Sequence, residues 1–123
     1  MSGGRIRRVD TAVRVVLSEA IAKDLKDPRV GFVTVTGVKT SPDLRHARVF
    51  VSVLGDEPTR EASLAGLRSA HGYLQSRVAR ELTLKHTPTL AFEYDVSVDH
   101  GMRITELLGS EEARPTNDPD DDA

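Results

Sequence analysis

Near the middle of the chain, apolar and polar residues alternate along one short stretch. From Arg45 to Leu54 the sequence reads RHARVFVSVL, and every second residue from Ala47 to Val53 is apolar. Because successive side chains of a β-strand face opposite sides of a sheet, this period predicts a strand with one apolar face. Other elements must cover that face, so the flanking segments have to supply a second layer. Aromatic residues make up only 4% of the chain, so we expect Val, Leu, Ile and Ala to fill the core.

On both sides of this strand, apolar residues recur at steps of three and four, the spacing of amphipathic helices. The first helical segment runs from Arg5 to Lys26 and stops before Asp27-Pro28, because proline disfavours a helical conformation in the preceding residue. A second begins near Pro58 and continues to Leu82. We expect it to bend near the glycine of Ala70-His71-Gly72.

Two further segments have strand character. Val30 to Lys39 is rich in β-branched residues, and the short turn Thr40–Asp43 predicts an antiparallel hairpin with the alternating strand. Leu90 to Val98 alternates again, and the long crossover before it allows parallel pairing. A short helix is predicted over Gly101–Leu108. The element order predicts an α+β domain with a three-stranded sheet.

The charge is unevenly distributed. Of the 17 basic and 19 acidic residues, the segment from Glu111 to Ala123 holds one and six, so residues 1–110 hold 16 and 13. We therefore divide the chain into a flexible start over residues 1–4, one folded domain over residues 5–109, and an acidic, disordered tail over residues 110–123. The body is mildly basic, and the near-neutral isoelectric point of the whole chain hides this asymmetry.

Several function classes are excluded or disfavoured by missing residues and motifs. There is no cysteine, which excludes disulfides, thiolate nucleophiles and Cys-ligated metals. The P-loop pattern GxxxxGK[ST], the dinucleotide pattern GxGxxG and the hydrolase pattern GxSxG are all missing, as is GxxG. No two of the four histidines have the spacing of a helical metal pair. We expect no cofactor and no metal, and, with no apolar spanning segment or secretory signal, a cytoplasmic protein.

Arginine is the most informative residue type that remains. Three arginines, Arg5, Arg7 and Arg8, cluster at the start of the first helix, and others lie along the second helical segment. The planar guanidinium binds phosphate through two parallel hydrogen bonds, so this pattern suits RNA. The basic residues that this pattern makes candidates for RNA binding are Arg5, Arg7, Arg8, Arg14, Arg29, Arg45, Arg68, Arg77, Arg80 and Lys85.

Seven pieces of the sequence, in this order and spacing, resemble the bacterial ribosome-binding factor A family. The resemblance covers about Arg5 to Leu108. It is carried by RIRRVD, Asp27-Pro28-Arg29 with Gly31, VTVTGVKTSPDLRHARVFVSVLG, Ala70-His71-Gly72, TPTLAF over Thr87–Phe92, Asp95 and GMRITELL.

This resemblance implies a type II KH-like fold, α-β-β-α-kink-α-β, in which an Ala-x-Gly kink replaces the GxxG loop of ordinary KH domains. Ala70-His71-Gly72 fits that kink, so the resemblance adds Ala70, His71 and Gly72 to the candidate RNA- and ribosome-binding residues. It also implies a non-catalytic assembly factor that binds free 30S ribosomal subunits late in maturation, assists 5′-end processing of 16S rRNA and supports growth in the cold. The implied partners are 16S rRNA in the subunit and assembly GTPases, with no membrane and a monomeric chain.

Two other interpretations stay open at this point. One is a protein-interaction adaptor without RNA binding, which would use an exposed strand edge or the first helix. The other is a small acid–base enzyme that uses His46, His100 or the pair Glu93 and Asp95, which share one strand face. Asp99 next to His100 could orient that histidine. A solvated sheet face at these positions would count against the enzyme.

Overall fold

The computed structural model describes residues 2–98, in which three helices cover one face of a three-stranded sheet. The elements are α1 (Ser2–Lys23), β1 (Val33–Thr40), β2 (His46–Val53), α2 (Glu57–Ser69), α3 (His71–Glu81) and β3 (Thr89–Tyr94). This order confirms the predicted α+β class and the predicted succession of elements as far as the third strand. None of the helices in this part of the chain is long and apolar enough to cross a lipid bilayer.

The central strand β2 holds the sheet together. It pairs antiparallel with β1 and parallel with β3, so that Val49 lies between Val38 and Phe92. Both pairings confirm the sequence-based expectation. The apolar residues of β2 point to one face and are fully or nearly fully buried under the helices: Ala47, Val49, Val51 and Val53. The other face of the sheet is open to solvent.

The helix α1 packs one stripe of its surface on this core. Its buried residues are Val9, Val13, Val16, Leu17, Ala20 and Ile21, while Val15 on the outer side is 61% exposed. The helix begins at Ser2, so residues 2–4 belong to it and not to a separate start. It ends at Lys23, three residues before the predicted end, where the side chain of the following Asp24 is held by Tyr73 and Arg77 of α3.

Both outer strands are shorter than the sequence pattern predicts. β1 begins at Val33 rather than Val30, because the preceding loop is tied to α2: Ser63 Oγ donates to Arg29 O (3.2 Å) and accepts from Gly31 N (3.1 Å). β3 ends at Tyr94 rather than Val98, since Asp95 Oδ1 accepts from Ser97 N (3.0 Å) and turns the chain out of the sheet. The predicted inward positions of Val96 and Val98 are therefore wrong, and Val96 is 64% exposed.

A β-bulge in β1 is a feature that the sequence pattern did not indicate. The register with β2 shifts between Val35 and Gly37, which leaves Thr36 unpaired in the ladder. Its hydroxyl donates to Phe50 O (3.2 Å) and lies 2.6 Å from Asp95 Oδ2. The predicted helix over Gly101–Leu108, the Asp99-His100 pair and the acidic tail lie outside the described residues.

The predicted bend in the second helical segment is confirmed. α2 and α3 meet at Ala70, whose N–H donates to Gly66 O and Leu67 O (both 3.1 Å). The two glycines near the bend differ in surroundings. A Cβ at Gly66 would lie 2.6 Å from Val30 Cγ2, whereas a Cβ at Gly72 would meet nothing within 4 Å. Gly66 therefore lets the loop before β1 approach α2, and Gly72 is not required by packing.

These surroundings predict opposite effects of the same substitution. Gly66→Ala should lower the free energy of unfolding by about 1–3 kcal/mol, because the new methyl overpacks against Val30. Gly72→Ala should raise it by about 0.4–1 kcal/mol, because alanine restricts the unfolded chain and fits the helix. Urea unfolding followed by circular dichroism measures both. Equal effects of the two substitutions would contradict the assignment of Gly66 as a packing glycine.

Candidate nucleic-acid interface

Cationic side chains from three separate segments meet at one end of the sheet. Because β2 and β3 are parallel, their first residues lie side by side, with His46 opposite Thr89 and Thr89 N donating to Arg45 O (2.8 Å). The α3–β3 loop and the start of α1 border the same place. We call this group the basic end, and its members are Arg5, Arg45, His46, Lys85 and His86.

Two clefts lie at the basic end and share His86. The first has a volume of about 220 Å³ and is lined by Arg5, Val9, Asp43, Leu44, Leu84, Lys85, His86 and Pro88. The second is lined by Arg45, His46, His86, Thr87 and Thr89. The basic end is therefore a grooved surface, on which an extended anionic chain can make contacts at several points.

The arginine and lysine side chains of the basic end are free to contact another molecule. Within residues 2–98, the exposed side chains of Arg5, Arg45 and Lys85 make no hydrogen bond and no ion pair with another residue. The neighbouring carboxylate Asp43 accepts from Ser41 Oγ (2.6 Å) and Arg45 N (3.0 Å). These hydrogen bonds lower the pKa of Asp43, so it stays ionised and removes part of the local positive charge.

The turn between β1 and β2 positions this surface through an unusual backbone. Leu44 has φ 61°, the one positive φ of a non-glycine residue in the described part of the chain. A left-handed conformation costs an L-residue about 1–2 kcal/mol. The turn is closed by Leu44 N donating to Ser41 O and Ser41 N donating to His46 O, each at 2.8 Å. At the far side, Asp10 of α1 accepts from Thr40 N (2.9 Å), which ties the helix to the hairpin.

Comparison with known proteins identifies the family. The family model described as "Ribosome-binding factor A" matches residues 5–108. The chain belongs to the ribosome-binding factor A family. A relative named ribosome-binding factor A from Desulforamulus reducens is 43% identical over 117 residues, which cover 93% of this chain and 98% of that protein.

Solved structures of family members have the same KH-like fold. A solution structure of a Thermotoga maritima protein described as a putative ribosome binding factor A matches with a TM-score of 0.66 and 32% identity, covering 72% of this chain and 85% of that one. A Thermus thermophilus ribosome binding factor A homology model, fitted into a cryo-EM map of a 30S complex, matches with a TM-score of 0.60 and 29% identity. It covers 71% of this chain and 91% of that one.

The kink Ala70-His71-Gly72 is bound to the edge of the sheet. His71 Nε2 lies 3.1 Å from Leu90 O, and Arg68 Nη2 donates to Phe92 O (2.8 Å). Next to them, Gln75 Nε2 donates to Pro88 O (2.6 Å) and its Oε1 accepts from Leu90 N (3.1 Å). Side chains of α2 and α3 thus bind the backbone groups of β3 that would otherwise be an open edge.

Two of the predicted arginines form ion pairs within the fold. The Arg77 side chain is only 14% exposed and pairs with Asp24 and with Glu81 (2.6 Å). Hydrogen bonds with Tyr73 and Glu81 raise the pKa of Arg77 above its ordinary value. Arg29 Nη2 pairs with Asp27 (2.7 Å) and donates to Ser69 Oγ (3.0 Å), and the Arg29 side chain and N–H lower the pKa of Asp27 to about 2. These two arginines join loops and helices.

The remaining predicted cations are exposed but not all lie together. Arg8 is three residues from Arg5 and lies on the same face of α1. Arg14 is nine residues from Arg5, which places it roughly 180° around the helix from Arg5. There Arg14 lines a shallow groove with Thr11 and Val15. Within residues 2–98, the exposed side chains of these cations form no ion pair: Arg7, Arg8, Arg14 and Arg80.

The carboxylates considered for acid–base chemistry are engaged in hydrogen bonds on the sheet surface. Glu93 forms two bonds of 2.9 Å with Arg48, which lower its pKa. Asp95 contacts Thr36 and Ser97, and His46 is exposed on β2. In the described range, no group of three or more His, Asp or Glu side chains could hold a metal ion.

Sequence reasoning missed Leu44, His46 and His86 as members of this surface. His46 follows Arg45 directly, so its place beside a candidate contact was readable from the sequence. His86 and Leu44 are far from Arg5 in the chain, and they come together because α1 packs on the β1–β2 hairpin and β3 pairs with β2 in parallel.

The two arginines at the end of α3 provide a matched test of this division. Arg77→Met should lower the thermal unfolding midpoint by several degrees, because Asp24 and Glu81 lose their common partner in a half-covered site. Arg80→Met should leave the midpoint nearly unchanged, since exposed side chains without partners contribute little. Thermal unfolding by circular dichroism measures both. An unchanged unfolding midpoint of the Arg77→Met variant would show that the ion pairs of Arg77 do not hold α3 to α1.

Proposed function

We propose that this protein is a ribosome assembly factor that binds free 30S ribosomal subunits through 16S rRNA. The observation that carries the proposal is the basic end, where Arg5, Arg45 and Lys85 from three segments lie exposed around two clefts. Phosphate contacts dominate the affinity of proteins for nucleic acids, and structured RNA is recognised largely through its shape and backbone. A rigid surface with separated cations suits such a target.

Family membership supports the same partner. A homology model of the Thermus thermophilus ribosome binding factor A has been fitted into a cryo-EM map of a 30S complex, and this chain shares its fold. In the proposal, the protein acts late in subunit maturation, assists 5′-end processing of 16S rRNA and supports growth in the cold. It does so without catalysing a reaction itself, as a cytoplasmic monomer whose further partners are assembly GTPases.

The domain organisation belongs to this proposal as well. In the proposal, residues 5–109, together with the first turn of α1 before them, form the ribosome-binding domain, and residues 110–123 are an acidic tail. The contacts are assigned first to the basic end and to Arg7, Arg8, Arg14 and Arg80. Arg29, Arg68 and Arg77 act mainly by holding the fold, because each has partners within it.

Co-sedimentation with isolated 30S subunits tests the proposal. The Arg45→Ala/Lys85→Ala variant should bind about tenfold more weakly, and its log–log salt slope should be smaller by about 1 per side chain removed. The control is Lys23→Ala/Lys26→Ala, which removes the same charge at the other end of α1. Lys23 lies about 27 Å from Arg5 along the helix axis.

Three outcomes separate the interpretations. Loss in the Arg45/Lys85 variant but not in the Lys23/Lys26 control supports the basic end as the contact. Loss in an Arg5/Arg7/Arg8→Ala variant, with the Arg45/Lys85 variant unaffected, confines the contact to the start of α1. No binding to mature or immature subunits at low salt would refute the proposed function.

A second candidate function, a protein-interaction adaptor, is favoured by a different surface. Phe32 and Leu54 are 79% and 74% exposed and adjacent, with Leu54 N donating to Phe32 O (3.1 Å). They line a groove at the opposite end of the sheet with Tyr94 and Val98. Binding through this apolar patch would depend little on salt, unlike the RNA contact.

A further inference from the structure

The cleft of about 220 Å³ at the basic end combines an apolar floor with a cationic rim. Val9 and Pro88 are buried in its floor, and Leu44 and Leu84 are half-buried beside them. Drug-sized ligands occupy pockets of about 300–1,000 Å³, so this cleft suits a single small ring system. Its shape and lining differ from those of an open phosphate-binding surface, which needs no apolar floor.

The rim supplies positive charge on separate sides of the opening. Arg5 comes from α1, while Lys85 comes from the α3–β3 loop, where His86 follows it. Asp43 is the one carboxylate of the lining, and its Oδ1 is already engaged by Ser41 and Arg45 N. A ligand with an apolar or aromatic body and a flanking anionic group matches this distribution of charge.

Leu44 brings an apolar side chain to this cleft from a backbone position that disfavours it. Its φ of 61° would suit glycine or asparagine better than leucine. Unfavourable backbone conformations persist where the surrounding structure or a function requires them. Glycine or asparagine in place of Leu44 would suit the backbone of the turn, but it would also remove part of the apolar wall of the cleft.

We propose that this cleft holds one unstacked nucleobase of a single-stranded RNA segment, with the adjacent phosphates bound by Arg5 and Lys85. This inference rests on the proposed function and adds to it a preference for an unpaired nucleotide. Unstacked bases are the parts of RNA that proteins most readily enclose, because both faces are free for apolar contact. The site is separate from the kink, whose His71 side chain contacts β3.

The direct test compares two short RNAs with the same number of phosphates, an oligouridylate and an abasic oligomer of equal length. At one fixed, moderate salt concentration, the full-length protein should bind the oligouridylate about tenfold more tightly. In methyl NMR spectra, the oligouridylate should shift the signals of Leu44, Leu84 and Val9. A blunt RNA duplex should leave these methyl signals in place.

A matched pair of variants locates the effect. Leu44→Asn keeps a residue that tolerates the left-handed backbone but removes the apolar side chain, so its affinity for oligouridylate should fall to that for the abasic oligomer. Leu54→Asn changes an exposed leucine at the other end of the sheet and should bind oligouridylate like the unchanged protein. Circular dichroism verifies that both variants are folded.

Equal affinity of the unchanged protein for the two RNAs overturns the base site. If intact 30S subunits still shift the Leu44 methyl signals in that case, the cleft contacts the subunit without a preference for an unpaired base, which also overturns the proposal. The base site is likewise overturned if the protein binds neither the oligouridylate nor the abasic oligomer. The proposed function is judged separately by subunit co-sedimentation, so the two failures are distinguishable.

Discussion

Burial of one face of β2 is the interaction on which the rest of the structure depends. Ala47, Val49 and Val51 are fully buried, and residues of α1, α2, α3, β1 and β3 complete the same core cluster. With so few aromatic residues, the core is close-packed from small branched side chains, which tolerate little change in volume. The close approach of Val30 to Gly66 shows how far this packing extends into the loops.

This packing also decides where the candidate interface lies. A parallel strand pair places both strand starts at one end, so the residues entering β2 and those entering β3 become neighbours. The start of α1 borders the same end, and Arg5 lines a cleft with Lys85 and His86. The basic end is therefore a consequence of topology, and it needs no local cluster of cations in the sequence.

The arginines divide into two groups with different physical roles. Arg77 and Arg29 pair with carboxylates of neighbouring segments, and Arg68 binds the backbone of β3. Arg5, Arg45 and Lys85 are exposed without such partners in the described residues. Residue type alone could not separate the groups, because a guanidinium binds a carboxylate and a phosphate with the same geometry. Burial and the nearby acids decide between the two roles.

The sequence by itself determined the element order, the apolar face of β2, the bend at Ala70 and the family, because these depend on local periodicity, on turn residues and on motif spacing. The early end of β3 has a local cause, the hydrogen bond between Asp95 and Ser97, which the alternation of apolar residues did not indicate. Tertiary structure decided the end of α1 at Lys23 and the bulge at Thr36, because each depends on a hydrogen bond or ion pair to a distant residue. It likewise decided which cations lie together at the basic end. Contacts between distant segments fix these features. The spacing of apolar residues, with its period of two in strands and 3.6 in helices, carries no information about such contacts.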